Sequence, residues 1–182
     1  MNRSDDAIRE VDAAELAAAG AGVRALLADG VASDASLGFL GPLRDDLAHA
    51  WLDECTREHE GGTRRVWLAR DAAGGVTGMV HLALATKENA PHRAEVQKLV
   101  VRADARGRGL GARLMAALED GARAAGRWLL VLDTDADSAA VRFYTARGWR
   151  SVGVIPFFCL SPAGELQATH VFWRDLRERA DG

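Results

Sequence analysis

Gly107, Gly109 and Gly111 alternate in the stretch RGRGLGARLMAALE, with Arg106 and Arg108 beside and between them. A glycine-rich turn running into a helix start presents free backbone N–H groups and the positive end of a helix dipole. Glycine lets a ligand approach the main chain, and the arginines add charge. The segment therefore has the makings of a phosphate or pyrophosphate site. A P-loop would need Lys-Ser or Lys-Thr after the glycines, and neither follows. GRGLGA, residues 107–112, formally satisfies the dinucleotide pattern G-x-G-x-x-A, and Asp133 lies about twenty residues further on, as that pattern requires. Against it, RADAR is a longer link than the tight turn of that motif. About fifty residues remain for further parallel strands, and the preceding segments are hairpin-like. A flexible loop with a glycine cap would leave the arginines unexplained.

Other reactive side chains are scattered. Cys55 and Cys159 form no CxxC, which suggests neither a zinc knuckle nor a redox pair, and both read as buried thiols. Cys55 and His59 have a metal-like helical spacing but no third ligand, so no metal site is expected. His49 and His170 have no partner in sequence. His92 follows Pro91 in a loop, and His81 lies in an apolar segment.

The elements that position these groups follow from periodicity. Residues 8–13 read as a first strand, and Asp12 with Glu15 resembles a capping box. Leu16, Ala19, Val23, Leu26 and Leu27 then recur at helical spacing. Residues 30–41 read as a loop with two exposed apolar residues, Phe39 and Leu40. Pro42 suits the first position of a second helix, with Leu47, Ala50, Trp51 and Cys55 as its apolar stripe. Residues 64–70 and 76–86 read as a hairpin joined at DAAGG, and residues 94–101 as a third strand. Leu110, Leu114, Ala117, Leu118 and Ala122 mark a helix, and WLLVLDT a strand buried on both faces. Ala140, Phe143 and Tyr144 mark a short helix stopped by Gly148. Residues 149–155 and 168–176 finish the chain as strands.

RGRGLG fits the pattern Arg/Gln-x-x-Gly-x-Gly/Ala at Arg106, Gly109 and Gly111. Downstream, DSAAVRFYTARGW (residues 137–149) resembles N-x-x-A-x-x-F-Y-x-x-x-G-F, with Asp137 in place of the Asn and Trp149 in place of the final Phe. The pair, in this order and spacing, resembles the GNAT superfamily of N-acetyltransferases. GFLGPL, AEVQKL and LLVLDTDADS are similar to tabtoxin-resistance-type acetyltransferases. The resemblance implies one mixed α/β domain over residues 1–182. Its central sheet would be twisted and mostly antiparallel, splayed at two parallel strands and flanked by helices.

It further implies acetyl-CoA as donor and an amine as acceptor. The pyrophosphate would sit on Arg106, Gly107, Arg108, Gly109, Leu110, Gly111 and Ala112, and Leu99, Val100 and Val101 would pair with the pantetheine arm as a strand. Family strands at this position carry a bulge that opens a slot for the thioester. Tyr144, at the family's tyrosine position, would assist the leaving thiolate. A backbone N–H near residues 99–101 would stabilise the oxyanion. Glu95 and Asp133 are candidates to bind and deprotonate the amine, against a reading of Glu95 as an exposed strand residue and Asp133 as a turn former. Asp137 stands where the family has Asn. A carboxylate only accepts hydrogen bonds, so a helix N-cap is its plain alternative to a cofactor contact. Phe39, Leu40, Phe157 and Phe158 are candidates for the acceptor pocket.

Composition bounds the rest. With 182 residues, 48% of them hydrophobic, and a net charge of −3, one soluble domain is expected, and neither nucleic-acid nor membrane binding. The first residues lack an apolar signal core, so the expected location is the cytoplasm. A homodimer is compatible with the sequence.

Overall fold

A computed structural model of the chain describes residues 6–177, and the remainder of the expected 1–182 domain lies outside them. Among the described residues seven strands form one sheet in the order β1-β2-β3-β4-β5-β7-β6. They are β1 (Ala7–Val11), β2 (Arg64–Arg70), β3 (Val76–Leu84), β4 (Arg93–Val101), β5 (Leu129–Asp135), β6 (Arg150–Leu160) and β7 (Leu166–Asp175). Only β4 and β5 run parallel, and they pair at just three positions, from Arg93↔Leu129 to Glu95↔Val131. From Val96 onward the two strands have no ladder between them, so the sheet opens at its centre.

The helices cover both faces. On one lie α1 (Ala13–Ala18), α2 (Gly20–Ala32) and α3 (Asp45–Glu60), packed on Val66, Leu68, Met79 and Val100. On the other lie α4 (Leu110–Ala124) and α5 (Ala139–Thr145), packed on Val80, Leu82, Val96, Leu130 and Leu132. The stripe Leu110, Leu114, Leu118 and Ala122 is buried as its spacing predicts.

Four expectations need correction. The first helix is two. The capping box of Asp12 and Glu15 starts α1, but the chain breaks at Ala19, which closes α1 and opens α2. Gly20 begins α2 so close to α3 that a Cβ there would meet Leu52 at 2.8 Å. The second helix, α3, starts at Asp45 instead of Pro42. Its core-facing residues are Ala48, Leu52 and Cys55, while Leu47 and Ala50 are exposed. The stripe is thus rotated by one residue from the expected one, because positions 48, 52 and 55 face the sheet together. Phe39 is half-buried rather than exposed, with its ring edge-on to Trp51 at 6.4 Å. Finally β6 runs on to Leu160, since its ladder with β7 resumes at Cys159↔Gln167 after an irregularity. No helix of the described residues is long and apolar enough to cross a membrane.

Candidate active site

The opening of the sheet is shaped by β4. Gln97 pairs with His81 and Val100 with Met79, so Lys98 and Leu99 together oppose Val80 alone. That is a β-bulge, which interrupts the ladder and frees backbone groups from it. Lys98 adopts φ +52°, a left-handed value uncommon outside glycine. Beside the bulge is a cleft of about 280 Å³. Its walls are the 36–38 loop, β4 from Glu95 to Leu99, Asp133 and Thr134 on β5, Tyr144 on α5, and Phe158, Cys159 and Leu160 on β6.

Three side chains singled out for chemistry, Glu95, Asp133 and Tyr144, meet in this cleft. Tyr144 is buried, with its ring against Phe143, Trp149 and Phe172. Burial raises its pKa well above the ordinary 10.0, and the charge of Asp133 adds to the effect, so the phenol keeps its proton. Asp133 is exposed; Thr169 Oγ1 lies 2.8 Å from its Oδ2 and 3.0 Å from Thr134 O, and its single proton serves one of them. Glu95 is half-buried and accepts a 2.8 Å hydrogen bond from Gln97 Nε2. Gln97 Oε1 in turn accepts from Arg64 (2.9 Å), which is itself held by Glu58. Sequence reasoning missed this support, because it joins residues 58, 64, 95 and 97 across two strands and a helix.

Arg64 also donates to His81 Nδ1 at 3.1 Å. His81 is fully buried, stacked on Trp51 at 5.1 Å, and its Nε2 has no partner among the described residues. Burial, then the charge of Arg64, holds its pKa well below 6.5. Below about pH 6.5 the unfolded chain binds a proton that the folded protein refuses. Stability therefore rises with pH through that window, and the histidine's contribution is complete above it. Denaturant unfolding of His81→Gln beside wild type should show the variant losing a slope of about 1.4 kcal/mol per pH unit below pH 6.5. Parallel stability–pH curves for the two proteins would contradict this.

A second hollow lies at the start of α4, lined by Val101, Ala105, Arg106, Gly107, Gly109–Ala112, Phe143 and Arg147. Gly109 is the N-cap of α4 and no side chain caps the helix. Gly107 and Gly109 have φ +74° and +79°, and a Cβ at either would meet nothing within 4 Å. Uncapped N–H groups facing open space suit a pyrophosphate. Arg106 is less free than its sequence suggests: its Nε donates to Val101 O at 2.9 Å, tying the turn to the end of β4. Arg108 is exposed and does not line the hollow. Arg147, unremarked in the sequence, does, with its guanidinium 4.5 Å above the Phe143 ring.

The remaining candidates separate. Leu99 lines the cleft and Val101 the hollow, whereas Val100 is buried in the core under α1–α3. Asp137 does not cap α5: the N-cap is Ser138, whose Oγ donates to Asp135 O, and Asp137 is exposed. Phe158 lines the cleft, while Leu40 and Phe157 point to solvent, 54% and 75% exposed. Cys55 is buried, which pushes its pKa up to about 11, and Cys159 is half-buried on the cleft wall rather than in the core. His59 bridges Arg64 O and Val11 O, His92 stacks on Trp128, His170 stacks on Phe172 and bonds Ser151, and His49 bonds Asp45 O.

Residues 62–151 match the family model described as acetyltransferase (GNAT) domain. Solved structures share the whole architecture. An N-acetyltransferase from Staphylococcus aureus Mu50 superposes with a TM-score of 0.76 at 20% identity, over 95% of this chain and 99% of its own. The acetyltransferase yncA from Salmonella typhimurium, solved with its cofactor acetyl-CoA, gives 0.74 at 21% identity, over 96% and 95%. A ribosomal-protein-alanine N-acetyltransferase from Brucella melitensis gives 0.72 at 23% identity, over 93% and 99%.

Proposed function

We propose that this chain, whose residues 62–151 match the GNAT acetyltransferase domain model, is an acetyl-CoA-dependent acyltransferase whose acceptor is the primary amine of a small molecule. The observation carrying this reading is the convergence of Glu95, Asp133 and Tyr144 on one cleft where β4 and β5 part. A cleft of about 280 Å³, walled by the 36–38 loop and by β6, suits a small acceptor better than a polypeptide terminus. An amino-acid-like or antibiotic-like amine fits it, in keeping with the likeness of AEVQKL and LLVLDTDADS to tabtoxin-resistance-type enzymes.

When bound, acetyl-CoA supplies an activated acyl thioester. The α4 N-terminus and Arg147 would hold its pyrophosphate, and the unpaired edge of β4 its pantetheine arm. The protein's own groups then divide the work. An amine reacts only as the free base, so Asp133 and Glu95 bind the arriving ammonium and draw off its proton, directly or through water. Backbone N–H groups at the β4 bulge stabilise charge developing on the acyl oxygen. The protonated Tyr144 hydroxyl donates to the departing sulfur. Among the described residues that hydroxyl has no other hydrogen bond to give up. Tyr144→Phe should lower kcat about 10- to 100-fold, the worth of a hydrogen bond to a charged group, and leave acetyl-CoA affinity unchanged. An unaltered kcat would return Tyr144 to packing alone.

The reduced Cys55 and Cys159 suit a cytoplasmic location. A homodimer would use the edge strand β6, where Val152, Val154 and Phe157 are exposed; sedimentation of a purely monomeric protein at micromolar concentration would dismiss it.

A further inference from the structure

We propose that Lys98 anchors a carboxylate on the acceptor, so that the substrate class is an amino acid: a primary amine bearing a carboxylate. The inference rests on reading the cleft as the acceptor site.

Lys98 occupies the β4 bulge, and its left-handed φ of +52° takes it out of the strand's alternation. Lys98 lines the cleft with Glu95 and Asp133. The Nζ atom lies 5.4 Å from the centre of the Phe39 ring, a cation–π contact. Gly38, at φ +76°, gives it room: a Cβ there would stand 3.4 Å from Nζ. Among the described residues the Lys98 ammonium forms no ion pair and no hydrogen bond. Burial, then Arg64, pulls its pKa below the ordinary 10.5, while Asp133, Cys55 and Glu95 act in the opposite sense. A lysine kept for stability would place its three donors on carboxylates or carbonyls. This one has a ring face and the cleft. A desolvated cation without a counter-ion is unfavourable until an anion arrives.

The cleft is therefore bipolar, with two carboxylates, neither within ion-pair distance of Nζ, and one cation. An amino acid matches both poles: the amine goes to Asp133 and Glu95, and the carboxylate to Lys98. Phe39, which the sequence suggested for the acceptor pocket, then acts by holding the ammonium in place.

The test uses amino acids matched with their carboxamides, with α- and ω-amino spacing. Binding to the enzyme saturated with CoA is read by calorimetry, and acetyl transfer by kcat/KM. The acids should bind about 10- to 100-fold more tightly than the amides, the range for a hydrogen bond to a charged group. Lys98→Met should remove that preference, mainly through KM, and its melting temperature should not fall. Lys98→Arg should restore the preference, which a proton-accepting lysine would not allow. Equal binding of acids and amides by wild type, no binding of any acid, or an equal loss of kcat on both series in Lys98→Met would each overturn the proposal. Failure of the broader reading looks different: acids that bind but are never acetylated.

Discussion

Gly109→Val should lose acetyl-CoA binding by roughly 100-fold or more, equivalent to two hydrogen bonds to charged groups of about 1.5 kcal/mol each, while the chain still folds. Gly109 holds φ +79° at the N-cap of α4. A side chain there meets no protein atom, since nothing lies within 4 Å of its Cβ position. The space it fills is the space a phosphate needs to reach the helix N–H groups. An L-residue also strains at this φ, by about 1–2 kcal/mol, and a branched one more. Gly109→Ala separates the two effects, because it carries the dihedral strain with less obstruction. Gly111 differs: it lies inside α4, and its Cβ would sit 3.8 Å from Phe143 and Val101. Gly111→Val should therefore act by filling the hollow alone. Calorimetry with acetyl-CoA, beside thermal melts, checks all three variants. Normal binding by Gly109→Val would mean that the turn is not the phosphate cradle.

The second large effect belongs to the acids. Glu95→Gln and Asp133→Asn keep shape and remove the accepting charge. The neighbours tolerate both changes, since Thr169 can still donate to an amide oxygen at 133, and Gln97 to one at 95. General-base catalysis contributes about 10²–10⁴-fold, so each single change should lower kcat/KM within that range. The double variant should lose less than the product of the two if both serve one proton path. Wild-type kcat/KM should rise with pH. An inflection that follows the acceptor's own pKa belongs to the amine, and one that stays fixed belongs to the enzyme. A fixed inflection absent from only one variant identifies the base. Near-wild-type activity in both singles would exclude the pair.

The glycine turn was legible because its cause is local: Gly107 and Gly109 need their φ, and the Leu110, Leu114, Leu118, Ala122 stripe announces the helix. Strand β2, the α4 helix and the gathering of Glu95, Asp133 and Tyr144 were readable too, the last through the resemblance to the GNAT superfamily. The bulge was not. It depends on register between two strands, residues 79–81 against 97–100, and AEVQKLVV by itself reads as an ordinary strand. Lys98 was hidden for the same reason, although a lysine inside an otherwise apolar half-strand was the available signal. The Thr169–Asp133 bond and the Glu58–Arg64–Gln97–Glu95 chain join distant segments that no periodicity connects. Asp137 was misplaced by one residue because Asp137 and Ser138 are both good caps, and the backbone put Ser138 at the N-cap position.

The most direct measurement of the central claim is a panel of primary amines incubated with acetyl-CoA, with free thiol and acetylated product counted together by absorbance and mass spectrometry. The account predicts one N-acetylated amine for each thiol released by wild type, and neither from Gly109→Val. Thiol release without an acetylated amine, or no turnover of any amine by a folded protein that binds acetyl-CoA, would contradict it.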